Sequence, residues 1–251
     1  MKLIKKSLAG LVLTAGVAAA AQAGVITVGG VTWNSDSSLD FGGVTANMTQ
    51  SIDSNNGVLS GFGVITTLNG DSAASFCPGC ELTFQYGGFT PSTSGSVPAP
   101  SGPSGVGTQI GYTGGWVKLY VDHTPDANST DPLSLNAANT GDGDLWLDLQ
   151  GHAKAGGITM TGFNFYPSYL SGIGLLDVVG GAAASYLNTN AKDDGADLAF
   201  SNSFTEFPGG STLFATGGGT FHGENVPEPA SLSLLGLGLL SLVAGRRRKS
   251  T

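Results

Sequence analysis

Short runs in which apolar and polar residues alternate recur through the middle of this 251-residue chain, each stopped by Gly, Asn, Asp or Pro. A period of two places successive side chains on opposite faces, which is the pattern of a half-buried strand and not of a helix. Val25 to Trp33, Glu81 to Tyr86, Trp116 to Asp122, Asp144 to Gln150, Thr159 to Phe165 and Ala196 to Thr205 read this way, and Leu59 to Leu68 is an apolar, β-branched run of strand type. A further run, Thr212 to Phe221, is interrupted by Gly217-Gly218-Gly219. Asn69-Gly70 follows Leu68 directly and is a strong two-residue hairpin signal. Leu175 to Leu187 is mixed. Val178 and Val179 favour a strand, Gly180-Gly181 suggests a bulge, and Ala182-Ala183-Ala184 favours a helix. The chain carries 41 glycines against few Lys and Glu, a composition that disfavours long helices. These features predict an all-β fold, a single β-sandwich or jelly-roll-like domain. No repeat of fixed period suggests a solenoid or propeller.

Thr90 to Gly107 breaks the pattern. It is rich in Pro, Ser and Gly and nearly free of apolar residues, so it reads as a long exposed loop at 90–107. It could divide the body in two, but Gly24 to Phe89 alone would make a marginal domain. One domain over 24–225 is the simpler expectation.

The two ends are of another kind. Lys2, Lys5 and Lys6 precede an apolar stretch from Ser7 to Ala20, and Ala21-Gln22-Ala23 has the small-residue form of a cleavage site. Residues 1–23 therefore read as a secretory signal peptide, cut by signal peptidase between Ala23 and Gly24. At the other end, Val226-Pro227-Glu228-Pro229 leads into an apolar segment, 230–245, and then into Arg246, Arg247, Arg248 and Lys249. As a helix that segment would rise about 24 Å, short against a bilayer core of roughly 30 Å but extendable by the flanking arginines. It is apolar all round, which predicts a transmembrane helix, with the basic tail left in the cytoplasm as a membrane stop and the body outside. Pro227 and Pro229 keep the preceding motif extended, the form a processing enzyme can grip.

Val226-Pro227-Glu228-Pro229, the apolar stretch and the basic cluster, in that order over 226–251, resemble the PEP-CTERM sorting signal of Gram-negative bacteria. The resemblance covers only the C-terminal end. It implies that the chain is the substrate of an exosortase, a membrane-embedded transpeptidase-like enzyme that cleaves near Pro227-Glu228-Pro229. It also implies transient membrane anchoring, then release or attachment at the cell surface, often in bacteria that build an exopolysaccharide matrix, biofilm or floc.

Charge narrows the partners. Seventeen of the eighteen acids lie in the body with only Lys118, Lys154 and Lys192 to balance them, a net charge near −14. Such a surface repels nucleic acid and anionic lipid, and it favours solubility and divalent cations.

Candidate chemistry is sparse. Cys77-Pro78-Gly79-Cys80 reads as a disulfide in an exported chain. A redox pair needs a helix N-terminus and a zinc site needs more ligands; neither is evident. Gly141-Asp142-Gly143-Asp144-Leu145-Trp146-Leu147-Asp148 offers Asp142, Asp144 and Asp148 as calcium ligands, but no EF-hand pattern is present and an ordinary acidic hairpin turn stands as the alternative. Lys192-Asp193-Asp194-Gly195-Ala196-Asp197 is a second acidic turn. No G-x-S-x-G elbow is present, and His123, His152 and His222 stand apart. Trp116, Tyr120 and Trp146 could stack on sugars or fill the core. The resulting expectation is a protein without catalytic activity or resident cofactor, structural or adhesive at the cell surface or in the extracellular matrix, with exopolysaccharide as a partner. The alternative is a secreted glycan-active enzyme or a calcium-dependent carbohydrate-binding module carrying the same address.

Overall fold

The computed structural model describes residues 24–92, 107–165, 169–206 and 214–226. Val25–Val226 forms one compact unit. The expected signal peptide, most of the 90–107 loop, Pro227 to Pro229, the 230–245 segment and the basic tail lie outside the described residues. Among the described residues no helix is long and apolar enough to cross a membrane.

Thirteen strands are described: β1 (Val25–Val28), β2 (Val31–Asn34), β3 (Phe41–Ile52), β4 (Leu59–Val64), β5 (Thr67–Leu68), β6 (Asp71–Ser72), β7 (Glu81–Pro91), β8 (Gly107–Asp122), β9 (Asp144–Gly151), β10 (Met160–Phe165), β11 (Tyr169–Gly180), β12 (Leu198–Glu206) and β13 (Phe214–Gly223). The expected sandwich or jelly roll is overturned. Eight antiparallel strands close into a barrel in the order β3-β4-β7-β8-β10-β11-β12-β13, and β13 returns to pair with β3 from Phe214↔Ser51 to Gly223↔Phe41. A sandwich keeps two sheets with free edges, whereas here the first and last long strands remove the edge from each other.

The seam is made possible by the glycines that interrupt the last run. A Cβ on Gly217 would sit 1.9 Å from the Ser203 carbonyl oxygen of β12, and one on Gly218 would sit 2.8 Å from the Thr45 carbonyl oxygen of β3. Only a strand without side chains at these points can lie so close to both neighbours. The β13–β3 register also shifts there, between Gly217 and Gly219.

Between β8 and β11 one place in the ring is shared. β10 pairs with Gly107–Tyr112 of β8, and β9 pairs with the stretch from Trp116 to Val121. The chain leaves the sheet after β9 in a small excursion, 152–159, and re-enters it as β10. The mixed segment at 175–187 resolves into both of its readings. The end of β11 carries a bulge between Val178 and Gly180, and one helical turn follows at Ala184–Leu187.

Eight strands leave an interior just wide enough for side chains to fill, and Phe84, Tyr86, Phe200 and Phe221 fill it. Phe200 and Phe221 stack at 4.7 Å, and Phe84 meets Phe221 edge-on at 5.2 Å. The Tyr86 hydroxyl donates to the Thr49 carbonyl at 3.0 Å, beside Gly61, where a Cβ would lie 2.0 Å from that same oxygen. Apolar residues face inward, the inverse of a membrane-spanning barrel, whose apolar band faces out.

The C-terminal ends of β3, β7, β10 and β12 lie at one end of the barrel. The opposite end is covered by the β1–β2 hairpin and the helical turns Ala73–Phe76 and Ala184–Leu187. Trp33, Phe41 and Trp146 pack together under that cover, with Trp33 and Trp146 centroids 5.6 Å apart, and the Trp146 indole N–H donates to the Val28 carbonyl at 2.9 Å.

Candidate functional site

The covered end holds both features that bear on function. The first is the point where the barrel hands over to the sorting motif. Residues 224–226 follow β13 and are fastened one after another. Lys192 Nζ meets Glu224 Oε1 at 3.1 Å, the Trp33 indole N–H donates to Asn225 Oδ1 at 2.7 Å, and the Val226 N–H donates to the Tyr186 carbonyl at 2.8 Å. Tyr186 itself stands edge-on to Trp33, with centroids 6.1 Å apart. Fold and motif therefore meet without a spacer: Val226 is at once the first residue of the expected motif and a bonded part of the barrel unit. Of the other residues expected to take part in processing, Gly24 is described and precedes β1; Ala21, Ala23, Pro227, Glu228, Pro229 and Arg246 to Lys249 lie outside the described residues.

The second feature is an acidic group that the sequence did not bring forward. Glu81, the first residue of β7, and Asp122, the last of β8, are direct cross-strand partners. Both are buried, at 8% and 7% exposure. Asp126, exposed in the following loop, completes a set in which one carboxylate oxygen from each residue lies within 4.8 Å of the others. The loop is built around these groups. Glu81 Oε1 accepts from the Asp126 and Ala127 N–H groups at 3.1 Å each, and Asp122 Oδ1 accepts from the N–H and hydroxyl of Thr124 at 2.8 and 2.9 Å. Segment 123–143 then folds back over the outer face of β7, where the Thr83 hydroxyl donates to the Thr140 carbonyl at 3.0 Å and the Gln85 amide to that of Ala137 at 3.0 Å. Burial raises the Glu81 carboxyl above its ordinary value near 4.5; the Ala127 and Asp126 N–H groups oppose that rise, and the charges of Asp122 and Asp126 add to it.

The remaining sequence candidates are dispersed. Cys77 and Cys80 are disulfide-bonded, with Cα atoms 5.1 Å apart, immediately before Glu81. Asp142 and Asp144 are exposed, and Asp148 sits opposite Lys118 in the β8–β9 ladder with its carboxylate 3.3 Å from the ammonium. Among the described residues, the three are not drawn into one group of ligand atoms. Asp197, from the second acidic turn, is buried and structural, taking three backbone N–H groups. Trp146 is core, while Trp116 is half-buried on the outer face over Gly87 and Gly88. His152 Nδ1 lies 2.8 Å from Asp177 Oδ1, with no nucleophile placed beside it in the described contacts.

Glu81 and Asp122 were hidden by 41 positions of sequence. The signal that could have found them is the hairpin itself. If the runs starting at Glu81 and ending at Asp122 pair across the 90–107 loop, the start of one must face the end of the other. Glycosidases set two carboxyls about 5–5.5 Å apart or farther in an open groove; here Glu81 and Asp122 are buried beneath the loop. Among the described residues, a cavity of about 90 Å³ lies near Tyr112 and Asn202 and one of about 190 Å³ on the outer wall beside Lys154. Both are smaller than the roughly 300 Å³ at which small-molecule pockets begin.

Residues 225–249 match the family model described as the PEP-CTERM protein-sorting motif. No curated protein and no solved structure was found to match the chain. The motif implies export, membrane-associated sorting before release, and processing by an exosortase.

Proposed function

We propose that this chain, which carries a PEP-CTERM sorting motif and is thereby an exosortase substrate, delivers its barrel to the cell surface or extracellular matrix as a non-catalytic structural or adhesive element. The observation that supports this reading is the packing of the barrel. Its interior is filled by aromatic side chains, leaving its chemistry to an outer surface that is strongly acidic and to the loops. A surface of that kind suits contact with a hydrated polymer such as exopolysaccharide more than enclosure of a small substrate. Glu224, Asn225 and Val226 are bonded into the barrel unit up to the residue before Pro227, which supports a cargo that stays folded while its C-terminal segment is processed.

The test has two arms. Cells lacking exosortase should hold the protein in the membrane fraction, while parent cells present it at the surface or in the matrix. The same fractionation in both strains would defeat the sorting route. Purified protein should sediment with exopolysaccharide from the native matrix and leave its chain length unchanged. Release of oligosaccharide would replace the adhesive reading with an enzymatic one.

A further inference from the structure

We propose that Glu81, Asp122 and Asp126 form a binding site for one calcium ion at the covered end of the barrel. Like charges placed directly opposite in a ladder destabilise it, and Glu81 and Asp122 are so placed with more than nine-tenths of each residue buried. No lysine of the body offsets them. Lys118 is held by Asp148, Lys192 by Glu224, and Lys154 lies in the 152–159 excursion.

A second observation is independent of the clustering. Asp122 Oδ2 is buried and has no hydrogen-bond partner, although Oδ1 of the same carboxylate takes both donors of Thr124. Native folds rarely leave a buried carboxylate oxygen unmet, and an ion is one of the ordinary ways they meet it. The donor set favours calcium, which takes oxygen ligands at 2.3–2.6 Å from flexible loops and tolerates irregular coordination; the three carboxylates, with ligand oxygens within 4.8 Å of one another, can share it. Magnesium requires about 2.0–2.1 Å and a nearly regular octahedron. Glu81 also positions the third ligand, because its Oε1 holds the backbone N–H of Asp126. The site differs from the Asp142–Asp144–Asp148 turn raised by the sequence, and it stands whether or not the adhesive role does. Outside the cell, sites with dissociation constants of about 10⁻⁴–10⁻³ M are filled by ambient calcium.

The experiment uses the exported protein with its C-terminal segment, purified in detergent, stripped with EDTA and titrated with CaCl₂ or MgCl₂ by calorimetry and thermal unfolding. One calcium should bind per chain, with a melting temperature that climbs with calcium and responds less to magnesium. Asp126→Asn alters an exposed residue, so it should fold normally and bind at least about tenfold more weakly, since the ion loses one of its charged oxygen ligands. Asp122→Asn should abolish binding, yet in calcium-free buffer it should melt no lower than the parent, because it removes an uncompensated buried charge while keeping an acceptor for Thr124. A purely structural role for Asp122 would move that last measurement the other way. Absence of heat and of any melting shift up to about 10 mM calcium, well above that range, would overturn the proposal. So would undiminished binding in both variants, and an equal response to magnesium would overturn the choice of ion.

Discussion

Asp197→Ala should be among the most damaging single changes in the barrel. Asp197 is 2% exposed and precedes β12. The β11–β12 ladder ends at Leu176↔Leu198, and from there the carboxylate continues it. Oδ2 accepts from the Val178 N–H at 2.7 Å, and Oδ1 accepts from the Thr189 and Asn190 N–H groups at 2.6 and 2.7 Å. Hydrogen bonds to a charged group contribute about 1.5–3 kcal/mol each, so three give a gross value of roughly 4.5–9 kcal/mol. Val178 is shut inside the fold, but Thr189 and Asn190 can regain water if their loop opens, which brings the net loss just below that gross range, to about 4 kcal/mol. That is a large share of a typical stability of about 5–15 kcal/mol. For a domain of this size it corresponds to a fall in melting temperature of about 8–16 °C. Urea unfolding followed by tryptophan fluorescence, with Trp33 and Trp146 both buried, reads it directly. Asp197→Asn keeps Oδ1 for two donors but turns an amide N–H₂ toward that of Val178, so its cost should fall between parent and alanine. The same loop carries Tyr186 and Lys192, so proteolysis in the alanine variant should begin at 181–197 and at 224–226 together. A loss below about 1 kcal/mol for Asp197→Ala, the value of a single ordinary hydrogen bond, would refute the idea that one side chain closes this end of the ladder.

Gly217→Ala should prevent stable folding, with a loss above about 3 kcal/mol by chemical denaturation, because its Cβ would meet the Ser203 backbone with nothing free to yield. Gly70→Ala, in open space but at φ 89°, should cost only about 1 kcal/mol; equal effects would undo the steric account of the seam. Replacing Cys77 and Cys80 with serine should cost about 2 kcal/mol, the small value expected for a four-residue loop, and a melting curve unchanged by the double substitution would count against any contribution from the bridge. Burial holds the Tyr86 phenol well above its ordinary value of 10.0. Above pH 10 the unfolded chain therefore binds fewer protons than the folded one, and stability falls as pH rises. Tyr86→Phe should lower stability by about 1 kcal/mol at neutral pH through loss of the bond to Thr49 yet make the alkaline decline shallower; an unchanged slope would remove Tyr86 from the alkaline response.

What the sequence made legible follows from where period two is visible. Leu82, Phe84 and Tyr86 alternate and face the interior, and Asn69-Gly70 takes positive φ at both residues, 53° and 89°, as a tight hairpin turn requires. What it concealed is β3. Phe41-Gly42-Gly43-Val44-Thr45-Ala46-Asn47-Met48-Thr49-Gln50 shows no regular alternation, because it is covered on both sides along much of its length: Thr45, Thr49 and Gln50 are buried beside Phe41 and Met48. Without it seven full strands suggest an open sheet, and a sandwich is the reasonable answer. With it the eighth place is filled and the ring closes. The glycines at 217–219, which look like a break in a strand, are where β13 lies close against both β12 and β3. At the acidic site the residue types were ordinary, and only the pairing of two distant strand ends gave them meaning.

Because β3 and β13 are partners, ring closure joins the beginning of the barrel to its end. A chain threaded outward from its N-terminus would present β3 first, with one flank bare until residues 214–223 arrive. Such a long wait slows folding and exposes a sticky border to other copies. The polar, glycine-broken character of β3 makes that border a poor template for foreign strands, so the same residues that hid it from view also guard it during passage across the membrane.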